Sequence, residues 1–543
     1  MMRGVHRTEQ ALAGVLLAAC GVSLVLLAVT KAYAIDEFQY SHAAWLVAQG
    51  QVPYKDFFEF HFPLPYQVLA LPLTVLPSSP LVIGCLRIAM LGVTGLLFLS
   101  IRRMLQPFAT WVCVSTLGLA LTSRTLAGFL VEVRPDLFAI AFFFASVALL
   151  SGNASSRRAF WSGLGFGLGV WSSQKAVIYG VVFAVGLLID LARRRRGTPW
   201  VAFPLAWLGG VATVAGLVAC YLTATGSWNE WFDCAVRWAA WHERHYPRFS
   251  WATYLLPTLR EAPHLVVLAL VGVLAELRER PKLPRLMLLA WPAALASYFV
   301  AKAPFAYALL PFLLITCVLA GRGAAWAIAR LRSRLARFGI LAFVSGALTV
   351  CAWVVPRQHQ NNQSQRELLA ALGRLTSVND PVYDGAGAAT ARPHVGFRYY
   401  TNALIREREA ATLTADVSKA IVESGCTAMI RDLRYPGLPK DLRLLLETHF
   451  QPYSADLWLW GQHIDTRANF LAVRSAVYFV GPSAAFRRVR VDGVPLKADT
   501  VGLARGTHLV EVDGDPIDLL WLPRNGERYV PKRGLPPTFS ILF

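Results

Sequence analysis

Apolar runs approaching the roughly 20 residues that carry a helix across a bilayer recur through the first 355 positions. They lie near 10–30, 81–101, 108–123, 135–151, 159–174, 176–192, 200–223, 258–276, 284–300, 304–321 and 338–355. A chain patterned this way has no soluble globular solution, since its apolar surface far exceeds what one core can hold. Composition agrees: 55% of the 543 residues are hydrophobic and only 16% charged, and mean hydropathy is +0.45. The pattern predicts a polytopic α-helical membrane protein of about eleven spans. The runs at 108–123 and 159–174 are short and polar-ended, which suits tilted or broken helices. The first run exceeds the about 7–15 apolar residues of a signal peptide and no A-x-A-like site closes it, so it is expected to stay as a helix.

Short cytoplasmic loops collect Lys and Arg, and here the cations alternate. Arg102-Arg103, Arg157-Arg158, Arg193 to Arg196, the stretch with Arg278, Arg280, Lys282 and Arg285, and the group Arg322, Arg330, Arg332, Arg334 and Arg337 fall on one side. With Arg3 and Arg7 they put the N-terminus in the cytoplasm and everything after about 356 outside an inner (plasma) membrane. The net charge of +20 is then a signal of topology, and no nucleic-acid partner is expected.

The opposite connections hold Asp36-Glu37, Glu132-Val133-Arg134-Pro135-Asp136, Gln174-Lys175, a Trp-rich segment at 227–250, and Lys302-Ala303-Pro304. Carboxylates are costly at a membrane edge and tend to persist where they bind or react, so their gathering on one face suggests a site at the outer leaflet. Of the eight cysteines only Cys234 and Cys426 lie outside the runs, which gives no disulfide framework, and no zinc spacing occurs. The polar linker from Arg357 to Gln363 divides a membrane domain, 1–356, from an extracytoplasmic tail. Strand-like 381–384, helical 416–422 and strand-like 427–430 predict an α/β region over 357–470. Strands ending at Asp492-Gly493 and Asp513-Gly514 predict a small all-β, sandwich-like module over 471–543.

In the first outer connection, 37–49 has helical apolar spacing with Gly50 placed to end it, and the many aromatics around it suit a helix lying in the interface. One reading makes Asp36 the N-cap, with Gln39 completing a capping box and Glu37 favoured by the helix dipole. The other makes the pair chemical. The order of hydrophobic helix, Asp36-Glu37, interfacial helix, Gly50, Pro53-Tyr54 and His61-Phe62-Pro63-Leu64 resembles the first outer loop of the GT-C glycosyltransferases, above all the protein O-mannosyltransferase and aminoarabinose transferase group. Phe62 stands where the mannosyltransferase pattern has its first proline, and Gln67 lies near that family's lysine.

The resemblance implies a polyprenyl-phosphate sugar donor, an extracytoplasmic acceptor hydroxyl on a glycan, lipid or protein, inversion at the anomeric carbon, and Asp36 as base. Glu37 and His61 are then expected on the acceptor side. A hydroxyl attacks only when a base takes its proton, while the leaving phosphate needs charge neutralisation. Arg134, Asp136, Lys175 and Lys302 are the candidates for donor contact, with no metal or other cofactor expected. Each has a plainer role beside this one: a buried Arg134–Asp136 pair, and lysines snorkelling at span ends. The tryptophans at 228, 231, 238 and 241 suit an interfacial anchor more than a sugar platform. A flippase for a lipid-linked sugar, or a non-enzymatic envelope glycan assembly protein, remain alternatives to the transferase.

Overall fold

The computed structural model describes residues 2–76, 79, 81–106, 108–151, 155–178, 180–182, 185–186, 202–279 and 283–536. The expected cytoplasmic cations Arg193 to Arg196, Arg280 and Lys282, and most of the run at 176–192, lie outside these residues.

Two compact units interleave along the chain. The first comprises Met1–Lys31, Phe60–Pro65 and Gly84–Asn361, and the second Ala32–Glu59, Tyr66–Ile83 and Asn362–Phe543. Among the described residues five helices are long and apolar enough to cross a membrane: Thr8–Thr30, Val82–Met104, Ala202–Thr225, Ala306–Ala329 and Leu335–Gln358. The sharply bent pair Ala252–Glu261 and Pro263–Arg278 brings the number to six if it is one broken span. The bend falls at Pro263, which cannot continue the preceding helix. Other apolar runs form shorter helices, among them Thr110–Ala120, Pro135–Leu150 and Leu286–Val300. The chain is a multi-pass membrane protein, and its helices are less uniform in length than its apolar runs.

In the first unit, close helix crossings are set by glycine. A Cβ on Gly272 would sit 2.0 Å from the Leu319 carbonyl oxygen, and one on Gly323 2.0 Å from that of Leu268. The helices Pro263–Arg278 and Leu310–Ala329 therefore touch backbone to backbone, the packing that small residues permit where no hydrophobic effect drives helices together. Arg322 lies at the same crossing, 2% exposed, with Nε 2.5 Å from Glu276 and Nη2 2.7 Å from Glu279. It is an internal ion pair rather than a loop cation, because a charge buried there requires a partner.

Among its described residues the second unit is built on two sheets. Strands β1 (Val382–Tyr383), β2 (Ala428–Ile430), β3 (Phe450–Pro452), β4 (Leu457–Ile464), β5 (Arg467–Ala472), β6 (Ala476–Gly481), β7 (Val489–Val491), β8 (Val494–Pro495), β9 (Thr500–Leu503), β10 (Gly506–Val512) and β11 (Ile517–Trp521) follow in order. Seven of them form one sheet, β1-β2-β4-β11-β6-β9 with β3 also on β4, and four form the other, β5-β10-β7-β8. β1 and β2 pair in parallel, joined by a crossover that contains the helix Leu413–Ser424. Both sheets share one core, with Trp460, Ile464, Phe470, Tyr478, Val510 and Leu519 buried together. The strand expected to end at Asp492-Gly493 is short, Val489–Val491, since Ser483–Arg488 is a 3₁₀ turn, while Asp492 and Gly493 both take positive φ as a tight hairpin requires.

The first-loop helix runs Ile35–Ala48 and belongs to this unit. Its ten residues from Glu37 to Leu46 are all buried, so it is a core element rather than a helix with a lipid-facing side. Phe38 joins the core cluster, and Gln365 fixes the chain just before the helix by accepting from Tyr33 N at 2.7 Å and donating to Tyr33 O at 2.9 Å. Gly50 ends the helix as expected, at φ 85°, with Gly50 N donating to Val47 O and Gln51 N to Leu46 O.

Candidate active site

Pro135 opens the helix Pro135–Leu150 at its first position, where its missing N–H costs nothing. A residue before proline is held extended, and Arg134 has φ −141° and ψ 134°. That geometry turns the Arg134 side chain back to Glu132, Nε to Oε2 2.6 Å, and leaves Asp136 in the first turn of the helix. Glu132 also takes Lys31 Nζ at 2.6 Å. Burial acts to raise the Glu132 carboxyl, but Lys31 and Arg134 together hold it well below the usual carboxylate range.

The helix Ser156–Ser172 stops where Ser173 turns extended, at φ −155° and ψ 130°. The tight turn that follows brings Lys175 Nζ to 3.4 Å from Asp136, whose same oxygen accepts from Ser173 Oγ at 3.3 Å. Tyr307 supplies a shared aromatic face: Arg134 lies 4.6 Å and Lys175 Nζ 4.2 Å from its ring centre. His61 lies within electrostatic reach of Asp136.

The His61 segment is held by the Trp-rich stretch. Phe62 packs on Trp171 with ring centres 4.8 Å apart and on Trp231 at 6.1 Å, Phe60 on Trp238 at 5.0 Å, and Gln174 donates to the Phe60 carbonyl. Phe232–Trp238 is π-helical, a form frequent at functional sites. Trp231 and Trp238 thus serve the loop, whereas Trp228 is 43% exposed.

Arg134, Asp136, Lys175 and His61 are therefore brought together within the first unit. Lys302 has another partner: its Nζ donates to Arg244 O at 2.6 Å. Glu132, from the Glu132–Asp136 segment, and Tyr307, from the stretch after Lys302, belong to the cluster, and so does Lys31, which no motif singled out; that it closes the first span is the one signal available. Three cations, Lys31, Arg134 and Lys175, face two carboxylates, Glu132 and Asp136, for a net charge of +1. The cluster can neutralise an anion of about one charge, such as a phosphodiester, and the half-exposed Lys175 side chain is its accessible member.

Asp36 and Glu37 lie in the second unit, at the second and third positions of the helix Ile35–Ala48. The cap assignment is corrected: Ala34 is the N-cap, and Glu37, not Asp36, accepts from its N–H at 2.9 Å. Glu37 is fully buried, while Asp36 stays partly exposed. Further along the same loop Glu59 is fully buried and accepts from Tyr399 Oη at 2.7 Å. His42 Nε2 lies 3.3 Å from His394 Nδ1, and burial pushes the His394 imidazole down to about 4. Among the described residues no group of three or more His, Cys, Asp and Glu side chains is placed to hold a metal.

No family model matches the chain, and no curated protein matches it in sequence. Among solved structures it superposes on ArnT from Cupriavidus metallidurans bound to undecaprenyl phosphate with a TM-score of 0.58, over 83% of this chain and 97% of that one, at 12% identity. The chain shares the fold of ArnT. The apo form of the same ArnT gives an equal TM-score over 82% of this chain, also at 12% identity and 97% of ArnT. Archaeal oligosaccharyltransferase AglB from Archaeoglobus fulgidus, in complex with an inhibitory peptide and a dolichol-phosphate, gives 0.45 at 11% identity over 82% of this chain and 73% of that one, too remote to add to the assignment. The superposed residues come from both units, since 83% of this chain is more than either unit holds alone.

Proposed function

We propose that this chain is an inner-membrane glycosyltransferase that moves a sugar from a polyprenyl-phosphate donor to a hydroxyl of an extracytoplasmic glycan, lipid or protein. The observation that carries the reading is the Arg134–Asp136–Lys175–Tyr307 cluster in a GT-C fold. The ArnT structure with undecaprenyl phosphate supports a donor of this class.

In the proposed reaction Asp36 takes the acceptor hydroxyl proton, the freed oxygen bonds to the anomeric carbon, and the bond from that carbon to the phosphate oxygen breaks with inversion. The electron pair leaves on the phosphate, whose charge is met by Arg134 and Lys175. Asp136 orients Lys175. Glu37 sets the start of the helix that carries Asp36, and His61 completes the acceptor side. Charge neutralisation is assigned to side chains, with no metal. Lys302, tied to the Arg244 carbonyl, has a structural part in this scheme.

Purified protein given a radiolabelled polyprenyl-phosphate sugar and a membrane extract as acceptor source tests the reading. Transfer of label from lipid to acceptor supports it. Binding of the donor without any turnover, or label crossing the bilayer still lipid-linked, overturns it in favour of a flippase.

A further inference from the structure

The second unit contains a cavity of about 460 Å³, within the roughly 300–1,000 Å³ range of small-ligand sites. Its wall is made by Arg431, just after β2, by Glu447 from the helix Lys440–His449, by Pro452 and Trp458 of β3 and β4, and by Lys532 and Arg533. The segment carrying the two last residues is pinned alongside β3, since Lys532 N donates to Pro452 O at 2.8 Å.

The charges in this wall are unequal in their compensation. Arg533 is already satisfied by Asp518, which also accepts from His463 at 2.8 Å, and by Gln451 at 3.1 Å. Glu447 is occupied by the Tyr435 hydroxyl at 2.8 Å. Among the described residues neither Arg431 nor Lys532 has a carboxylate within 4.0 Å. Arg431 rests instead between rings, 5.1 Å from the centre of Tyr435 and 5.3 Å from that of Trp458. Two cations with no carboxylate at ion-pair distance stand over an aromatic and proline wall in a concave site, and Lys532 has only the longer-range charge of Glu527 to answer it. They match a ligand with one flat apolar face and one negative group.

We infer that this cavity binds an acidic sugar unit, with Trp458 and Pro452 against the C–H face of the ring and Arg431 and Lys532 on its carboxylate. A neutral sugar leaves the two cations unanswered, and a free phosphate leaves the aromatic wall unused. The site stands apart from the transferase reading: it holds an acidic glycan by charge and stacking, with no bond made or broken.

Isothermal titration of the full-length protein in detergent tests this with three probes, namely trigalacturonate, maltotriose and inorganic phosphate. Saturable trigalacturonate binding at least 10-fold tighter than either of the others is expected, weakening as salt is raised. Lys532→Gln, on an exposed side chain, is expected to weaken it about 5-fold, and Arg431→Gln with Lys532→Gln at least 20-fold, with the melting temperature of the single variant unchanged. Asp36→Asn is expected to leave binding intact, which separates this site from the catalytic one. No saturable trigalacturonate binding, equal binding of maltotriose or phosphate, unchanged binding in the double variant, or loss of binding in Asp36→Asn would each overturn the inference.

Discussion

The Glu37 carboxylate accepts the Ala34 N–H at 2.9 Å, and this places the start of the first-loop helix in the charge of Glu37 rather than Asp36. The two neighbouring carboxylates are thereby separated in role. Removing a helix-capping acceptor costs about 0.5–2 kcal/mol, so Glu37→Ala is expected to lower the melting temperature by a few degrees. Glu37→Gln, whose amide oxygen still accepts, is expected to melt close to wild type. Equal destabilisation by both would show that the carboxylate does something other than cap.

Lys175 is the test of donor-phosphate binding, because its side chain is 44% exposed and Asp136, its ion-pair partner, keeps the Ser173 hydroxyl when Lys175 is replaced. A charge-assisted hydrogen bond contributes about 1.5–3 kcal/mol, so Lys175→Gln is expected to reduce kcat/KM for the lipid donor about 10- to 100-fold. The melting temperature should hardly change, and added EDTA should not reduce turnover in either form.

Glu132 is expected to behave differently from its neighbours. With 4% of its surface exposed and two cations on it, its neutralisation leaves Lys31 and Arg134 uncompensated. Breaking a buried ion pair from one side costs about 3–5 kcal/mol, and Glu132→Gln should lose stability on that scale in a detergent melt.

Gly272→Ala would place a methyl 2.0 Å from the Leu319 carbonyl oxygen, so the helices Pro263–Arg278 and Leu310–Ala329 must part. Thermal stability is expected to fall markedly, whereas Gly216→Ala, where nothing lies within 4 Å, is expected to be neutral or slightly stabilising. The pair of variants distinguishes close packing from helix propensity.

Burial pushes His394 down to about 4, against about 6.5 in the unfolded chain. Between these values the unfolded chain holds the extra proton, so this group's contribution is present above about pH 6.5 and is lost as pH falls toward 4. Burial acts the other way on Asp384, raised to about 6 with Asp432 adding to it, which favours the folded state on acidification over part of the same window. The informative quantity is a difference: stability measured from pH 7 to 4 should fall more steeply in wild type than in His394→Asn.

Local signals in the sequence carried much of this fold. Gly50 ended its helix, Asp492-Gly493 made its hairpin, and the strands at 382–383 and 428–430 with their intervening helix formed a parallel unit, all from short-range patterning. What was hidden depends on long-range partners. Nothing near Tyr33 announces Gln365, and nothing near Phe58 announces Phe397, yet these bonds join residues 32–59 to the C-terminal sheets. Asp36 looked like the cap because Asp is a favoured capping residue, and the sequence does not reveal that Ala34 can serve when Glu37 reaches back. In the candidate site Arg134, Asp136 and Lys175 stood out as charges at span ends. Tyr307 follows Lys302 in the same stretch, but the sequence does not show that Arg134 and Lys175 share its ring while Lys302 turns to another partner.

Asp36→Asn is the substitution that bears most directly on the transferase reading, because it keeps size and helix position while removing the base. Turnover of a radiolabelled polyprenyl-phosphate sugar by purified wild-type and variant protein, alongside donor binding and melting temperature, is the decisive measurement. The expected result is a loss of turnover of at least about 100-fold, within the range for a general base, with donor binding and melting unchanged. Wild-type turnover by Asp36→Asn would contradict the assignment of Asp36 as the base.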